Sequence, residues 1–211
     1  MTVGRIITGD DCVREGATWL AGRDPRMAAA LRDTGPLPLR LRPDGFAQLL
    51  SAIVSQQVSV ASANAIWTRM QEAGLADQAG VRRADDAALR AVGLSRQKMR
   101  YARALAEAEI DYDALRASPS PEVVKTLTQV PGIGAWTAEI YAMFSLGRAD
   151  VFAPGDLALQ EAARILYELP DRPKERALRE MARAWSPWRS VAARILWAYY
   201  RVATRRTGIS D

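Results

Sequence analysis

The sequence predicts an all-α fold. Hydrophobic residues recur with the spacing of one helix face along most of the chain. One such run is Phe46, Leu49, Leu50 and Ile53. Proline and glycine divide this pattern, for example at residues 43–45, 131–132 and 154–155, into roughly ten helices. Residues 3–8 are the one candidate strand, and they are too few and too isolated to change the fold class.

The composition narrows the chemistry that the chain can perform. At 211 residues and 49% hydrophobic content, it can bury a core without disulfides. Its single cysteine, Cys12, excludes an internal disulfide, a cysteine-ligated iron–sulfur cluster and a structural zinc site. The absence of histidine excludes Ser-His-Asp triads, histidine-bound zinc and imidazole acid–base catalysis. The net charge of +5 suits a nucleic-acid partner.

The pattern of hydrophobicity also suggests a location. No stretch approaches the roughly 20 apolar residues of a membrane span. Residues 1–11 lack the basic and apolar layout of a secretion signal. We therefore expect a cytoplasmic protein that does not bind membranes.

A glycine-containing turn, Val130-Pro-Gly-Ile-Gly-Ala-Trp-Thr137, separates two helical stretches. Gly132 and Gly134 permit a tight reversal and leave backbone N–H groups uncovered by side chains. Such N–H groups at a helix start bind anions, including DNA phosphates. Taken alone, the same residues fit an ordinary turn between helices equally well.

A carboxylate follows this turn at the start of another predicted helix, in Ala153-Pro-Gly-Asp-Leu-Ala-Leu159. Residue type and position alone favour Asp156 as a helix N-cap. A catalytic role is compatible with that position, because the partial positive charge of a helix start stabilises an ionised carboxylate. The nearby Asp150 fits a loop or capping residue better.

Four motifs together resemble the helix-hairpin-helix DNA glycosylase superfamily, in its DNA-3-methyladenine glycosylase II branch. They are the turn at residues 130–137, Phe152-x-Pro-x-Asp156 placed 20 positions after Trp136, Trp185-x-Pro-Trp-Arg-Ser190, and Ile53-x-x-Gln-Gln-x-Ser59. The resemblance runs from about residue 24 to residue 200. Many members of the branch carry a second acid just before the catalytic aspartate, where this chain has Gly155.

The resemblance implies a monofunctional DNA glycosylase that hydrolyses the N-glycosidic bond of alkylated purines of the 3-methyladenine type. The base would be flipped out of duplex DNA, and an abasic site would remain. Asp156 would be the catalytic residue, and Trp136 and Trp197 would bind the base. The implied DNA-binding residues are Gln56, Gln57, Gly132, Gly134 and Thr137, with Gln57 as the wedge that fills the gap in the duplex.

The same resemblance bears on cofactors and partners. It implies no required cofactor, although the backbone carbonyls of Thr128, Val130 and Ile133 would hold a Na⁺ or K⁺ ion. Double-stranded DNA is the expected partner, and a monomer is expected. Trp136 occupies the position where glycosylases with lyase activity carry a Schiff-base lysine, so we expect no lyase activity.

The expected architecture is two helical lobes with a cleft between them. Residues 50–148 would form the middle lobe with the helix-hairpin-helix, and residues 1–49 and 149–211 would form a discontinuous second lobe. Residues 93–102 also resemble the family. There Ser95 is expected to cap a helix whose basic residues form a solvated face.

Alternatives remain at this point. The same scaffold could serve a glycosylase for another damaged base, and a non-catalytic helix-hairpin-helix protein would need only the phosphate site. Tryptophans are more often core residues than ligands. Without the other motifs, the segment around Gln57 would fit a polar turn between helices.

Overall fold

The computed structural model describes residues 2–206 and confirms the all-α fold. Its α-helices are α1 (Asp10–Ala21), α2 (Pro25–Thr34), α3 (Phe46–Ser55), α4 (Val60–Glu72), α5 (Gln78–Arg83), α6 (Asp86–Ala91), α7 (Arg96–Glu107), α8 (Tyr112–Ala117), α9 (Ser120–Thr128), α10 (Ala135–Phe144), α11 (Leu157–Leu166), α12 (Glu175–Met181) and α13 (Arg189–Arg206). A 3₁₀ turn spans Ala182–Trp185.

The described part of the chain therefore has thirteen α-helices, where the apolar periodicity predicted roughly ten. The shortest of them, α5, α6, α8 and α12, have only six or seven residues each. A helix of fewer than two turns presents too few apolar repeats to be recognised from spacing. None of the helices meets the length and hydropathy of a membrane span in the residues that are described.

Many of these helices begin at a residue whose side chain accepts a hydrogen bond from the first helical turn. The capping residues are Asp24, Ser59, Asp77, Asp85, Ser95, Asp111 and Asp156. Each such cap contributes on the order of 1 kcal/mol, because it satisfies an N–H group that the helix itself leaves without an acceptor. The expected cap at Ser95 is thus confirmed.

One compact unit comprises Arg42–Tyr141. In it α3 packs against α4 and α7, and α7 also packs against α5 and α6. The core of this unit includes Leu49, Leu50, Ile53, Met99, Ala102, Leu105 and Leu127. The apolar spacing that predicted α3 and α7 is therefore the spacing of buried faces.

The second unit joins residues 2–41 to residues from Ala142 onward. Its central helix is α13, which packs against α1, α2 and α11. Residues 3–8 form no strand; Ile6 and Arg148 make an isolated β-bridge, with Ile7 N–H donating to the Gly147 carbonyl at 2.7 Å. These bonds tie the N-terminal segment to the chain that follows α10.

The unit boundaries differ from the expected lobe boundaries by a few residues. Residues 42–49 lie in the unit that contains the hairpin, because α3 is one continuous helix with Phe46 and Leu49 buried. Residues 142–148 lie in the second unit, where Gly147 is bonded to Ile7. The cleft expected between the lobes stays a prediction.

Candidate active site and DNA-binding elements

Asp156 stands at the start of α11, half-buried, with its carboxylate held at the helix N-terminus. Its Oδ1 atom accepts a hydrogen bond from the Leu159 N–H at 3.0 Å. The turn before it is closed by the Asp156 N–H donating to the Ala153 carbonyl at 3.1 Å. The side-chain amide of Gln160 donates a hydrogen bond from Nε2 to the Pro154 carbonyl at 2.8 Å. The capping role and the candidate catalytic role therefore coincide in one side chain.

Trp197, on α13, lies beside this carboxylate. Its indole Nε1 donates to Asp156 Oδ1 at 3.2 Å across 41 positions of sequence. Its ring is half-buried and lies 5.7 Å, centroid to centroid, from Phe144. The structure thus brings together a negative charge and an electron-rich ring, the two groups that the motifs assigned to catalysis and base binding.

A buried arginine supports Trp197 from the same helix. Arg194 is only 1% exposed and donates to the carbonyls of Leu39 and Ser190, each at 2.9 Å. Its guanidinium lies 4.7 Å from the centroid of the Phe144 ring, which in turn contacts Trp197. Burial, with the charge of Arg40, lowers the pKa of Arg194. Sequence reasoning missed this residue, although it is the only charge in an otherwise apolar run.

A second arginine fixes the loop before Asp156. Arg189 makes two hydrogen bonds to Asp150, from Nε at 2.6 Å and from Nη2 at 2.9 Å, and Ser186 Oγ adds a third at 2.8 Å. Burial acts to raise the pKa of Asp150, but the hydrogen bond and charge of Arg189 outweigh it and the pKa is lowered. Asp150 is thus a loop residue, as expected, and the Trp-x-Pro-Trp-Arg-Ser motif anchors that loop.

The predicted hairpin lies between α9 and α10. Gly132 has φ +93°, and a Cβ there would stand 2.4 Å from Cγ of Tyr101, so both backbone and packing require glycine. A Cβ at Gly134 would meet no atom within 4 Å. No neighbour within the described chain therefore requires glycine at position 134, and the open space beside it is available to a ligand.

The remaining hairpin residues divide into buried and exposed ones. Trp136 is 46% exposed, so it is not a core residue. Thr137 is buried, with 7% of its surface exposed, and its contact with DNA stays a prediction. The side chains of Val130 and Ile133 are buried, and the Ile133 N–H donates to the Val130 carbonyl at 3.0 Å. Burial of these two side chains anchors the turn.

The predicted wedge lies in the turn between α3 and α4. Gln57 is exposed and has φ +56°, a left-handed conformation that residues other than glycine adopt at a cost of about 1 kcal/mol or more. Its neighbour Gln56 is turned inward and donates from Nε2 to the Gly132 carbonyl at 2.9 Å. Gln56 therefore joins the wedge turn to the hairpin.

The expectation of a solvated basic face on α7 is wrong at one position. Arg96 and Arg100 are exposed, but Lys98 is only 9% exposed and its Nζ donates to the Val54 carbonyl at 2.6 Å. Burial lowers the pKa of this ammonium group. The neighbouring buried Met99 and Ala102 show the apolar side of α7, and Lys98 lies at its border.

The candidate residues thus form two sets. Asp156 and Trp197 are bonded to each other in the second unit, and the wedge and hairpin residues are joined through Gln56 in the first. A family model described as the HhH-GPD superfamily base excision DNA repair protein matches residues 50–187, which is more than half of the chain. The chain belongs to the HhH-GPD superfamily.

Curated DNA-3-methyladenine glycosylases match this chain over different shares of their own length. DNA-3-methyladenine glycosylase 1 of Schizosaccharomyces pombe is 33% identical over 168 residues, which cover 75% of this chain and 73% of that protein. DNA-3-methyladenine glycosylase 2 of Escherichia coli is 30% identical over 168 residues, 73% of this chain but 57% of that longer protein. The chain therefore matches only part of some relatives.

Solved structures of HhH-GPD proteins show the same fold. A DNA-3-methyladenine glycosidase from Bacillus halodurans superposes with a TM-score of 0.79 at 34% identity and covers 88% of both chains. A 3-methyladenine DNA glycosylase from Schizosaccharomyces pombe, in complex with abasic DNA, gives a TM-score of 0.75 at 30% identity, covering 87% of this chain and 95% of that one.

The described residues of this HhH-GPD chain contain no group of three or more His, Cys, Asp or Glu side chains that could hold a metal ion. The carbonyls of Thr128, Val130 and Ile133 are a different donor set, made of neutral backbone oxygens. Such oxygens suit a weakly held monovalent cation better than a divalent one, which favours carboxylates.

Proposed function

We propose that this chain is a monofunctional DNA glycosylase that releases purines alkylated at N3 or N7 from duplex DNA and leaves an abasic site. The observation that carries this proposal is the pairing of Asp156 with Trp197 through Oδ1 and Nε1 at 3.2 Å. The names of the HhH-GPD relatives, which are DNA-3-methyladenine glycosylases, support the same reaction.

Cleavage of the glycosidic bond generates positive charge on the sugar, and an ionised carboxylate near C1′ stabilises it. The Leu159 N–H and the Trp197 indole N–H both donate to Asp156 Oδ1, so the two bonds fix the orientation of this side chain. Asp156 then acts by electrostatic stabilisation of the oxocarbenium-like sugar, and water completes the hydrolysis.

The leaving group explains why the chain needs no histidine. A purine alkylated at N3 or N7 already carries a positive charge, so it departs without protonation by a general acid. The same charge distinguishes it from normal bases, since a cation over an aromatic face gains about 0.5–2 kcal/mol depending on desolvation. Trp197 and the exposed Trp136 offer such faces.

DNA would be held by the hairpin and the wedge turn. The open space at Gly134 and the N-terminal N–H groups of α10 fit a phosphate. A Na⁺ or K⁺ ion on the carbonyls of Thr128, Val130 and Ile133 would add positive charge beside that phosphate. Gln57, exposed at the tip of its turn, would fill the space that an extruded base leaves.

Absence of lyase activity is part of this proposal. Trp136 stands where a Schiff-base lysine would be needed, and an indole cannot form an imine. Incubation with alkylated duplex DNA and borohydride should therefore trap no covalent adduct. A trapped adduct at Lys98, Lys125 or Lys174 would contradict the monofunctional assignment.

The decisive experiment measures free bases released from methylated genomic DNA by chromatography. The wild type should release 3-methyladenine or 7-methylguanine. Asp156→Asn should lose this activity by about 100-fold or more and still bind duplex DNA. Asp171→Asn, an exposed carboxylate in the same unit, is the matched control and should retain full activity. Unchanged release by Asp156→Asn would indicate a different catalytic group, and no release by the wild type would favour a binding protein.

The expected oligomeric state and location belong to the same proposal. A single chain carries both the wedge and the candidate carboxylate, so we expect a monomer. The cytoplasmic location expected from the sequence is part of the same proposal. Light scattering coupled to size exclusion, with and without DNA, tests the oligomeric state.

A further inference from the structure

The wedge turn is held in a strained conformation, which indicates that its surroundings determine it. Helix α3 ends at Ser55, Gln56 is extended, and Gln57 is left-handed at φ +56° before Ser59 caps α4. A residue other than glycine keeps such a conformation when the surrounding structure determines it. Ser59 fixes the far side, since its Oγ accepts from the Ser62 N–H at 3.2 Å.

Lys98 fixes the near side. Its ammonium donates to the carbonyl of Val54, in the last turn of α3, at 2.6 Å. The final carbonyls of a helix have no partner within it and carry partial negative charge, so a cation there is favourable. Burial of this ammonium is costly without a partner, which indicates that the bond to Val54 is maintained.

The same helix also reaches the hairpin. Tyr101 follows Lys98 by three positions, so both lie on one side of α7. The Tyr101 ring packs against Gly132, and its hydroxyl accepts from Gln97 at 2.7 Å. Gln56 links the wedge turn directly to the hairpin, because its side-chain amide donates to the Gly132 carbonyl. A cavity of about 250 Å³ lies among these groups, lined in part by Gln57, Lys98 and Tyr101.

We propose that Lys98 is a positioning residue for base extrusion, which holds the end of α3 through the Val54 carbonyl so that Gln57 projects into the duplex. This inference rests on the proposed function. Helix α7 then contacts both DNA-binding elements, the wedge turn through Lys98 and the hairpin through Tyr101. It thereby fixes the position of Gln57 relative to the hairpin. In this role Lys98 acts through the Val54 carbonyl and not by contact with the base or the sugar.

The test compares two duplexes that differ only in the cost of extrusion. One carries 7-methylguanine opposite cytosine, and the other carries it opposite a tetrahydrofuran abasic analogue. Lys98→Met keeps most of the aliphatic side chain and removes the ammonium group. It should slow base release from the paired lesion about tenfold, whereas the rate on the unpaired lesion should stay within about twofold of the wild type. Equal losses on the two duplexes would overturn the proposal, because a general loss of folding or catalysis does not depend on pairing.

Three further variants test this interpretation. Lys174→Met, an exposed lysine elsewhere in the chain, should behave as the wild type on both duplexes. In a Gln57→Ala background, Lys98→Met should add little further loss, since both changes act through the wedge. If the losses in rate from the two substitutions were fully additive, they would act independently, which would contradict the proposal. If Lys98→Met does not fold, Lys98→Arg takes its place, because arginine retains a cationic donor. Its ratio of release rates on the paired and unpaired lesions should stay within about twofold of the wild-type ratio. A ratio changed as much as that of Gln57→Ala would overturn the proposal.

A readout without catalysis separates this inference from the proposed activity. With Asp156→Asn protein, 2-aminopurine placed beside 7-methylguanine should brighten on binding, and Lys98→Met should reduce that increase at saturating protein. An equal increase with and without Lys98 overturns the positioning role even if excision is observed. A lack of base release by the wild type, with the fluorescence difference present, instead refutes the proposed function.

Discussion

The indole N–H of Trp197 and the backbone N–H of Leu159 converge on the same oxygen, Oδ1 of Asp156, at 3.2 Å and 3.0 Å. Helix α13 thereby orients a carboxylate that α11 presents. Trp197 has two separable properties in this arrangement, a ring face for the base and an N–H donor for the carboxylate.

Trp197→Phe separates those properties, because phenylalanine keeps a ring and lacks the donor. We expect kcat for an alkylated duplex to fall about tenfold, the value of one hydrogen bond to a charged group, with KM nearly unchanged. Trp67→Phe, a half-buried tryptophan of the other unit, should leave both constants unchanged. Steady-state kinetics on a 7-methylguanine duplex measures this, and an unaltered kcat would mean that the donor does not act on the reacting carboxylate.

Asp150→Asn should destabilise the protein by about 1–2 kcal/mol near neutral pH, because Arg189 and Ser186 lose an ionised acceptor that is only partly screened by solvent. The folded protein lowers the pKa of Asp150 below its ordinary 3.8. Its contribution is therefore present above that value and is lost as the pH falls through the folded pKa.

Urea unfolding of wild type and Asp150→Asn between pH 3 and pH 7 checks both statements. The difference in free energy of unfolding should stay constant down to about pH 5 and shrink below about pH 4. Asp11→Asn removes one partner of a solvent-exposed ion pair with Arg14, so its free energy of unfolding should differ little from that of the wild type at any pH. A pH-independent difference for Asp150→Asn would contradict a stabilising role for the charge of Asp150 beside Arg189.

Gln57→Gly and Gln57→Ala distinguish strain from function at the wedge. Glycine tolerates φ +56° and should raise the free energy of unfolding by about 0.5–1 kcal/mol, whereas alanine keeps the strain and should not. Both variants should lose activity on a paired lesion, since neither fills the space of an extruded base. Thermal melts and base-release rates report the two effects, and full activity in either variant would argue against Gln57 as the wedge.

The two hairpin glycines should differ when replaced by alanine. Gly132→Ala introduces both a positive-φ penalty and a clash with Tyr101, so we expect a loss of more than about 1 kcal/mol in stability. Gly134→Ala meets no neighbour within 4 Å and should fold as the wild type does, yet bind duplex DNA several times more weakly. Fluorescence anisotropy with an undamaged duplex measures the affinity, and wild-type affinity for Gly134→Ala would remove this turn from the DNA contact.

Local residue patterns were sufficient for much of this molecule. The apolar spacing predicted helices such as α3 and α7, and a side chain with a short acceptor before a helix predicted the caps at Ser95 and Asp156. These features depend on residues within one or two turns of each other. The predicted number of helices was too low, and helices of six or seven residues contain too few repeats to show a period.

Contacts between distant segments were decided by tertiary structure alone. The residues next to Lys98 in the sequence do not show that its ammonium group caps α3 through the Val54 carbonyl. Because the arginines near it are exposed, the local pattern predicted an exposed lysine. Arg194 is likewise buried because a carbonyl from Leu39, far along the chain, receives it. The hydrogen bond between Asp156 and Trp197 spans 41 positions of sequence. The motifs identified the two residues, but only the packing of α11 against α13 brings them into contact. Burial and hydrogen-bond partners are properties of the folded neighbourhood, and a sequence lists neighbours only along the chain.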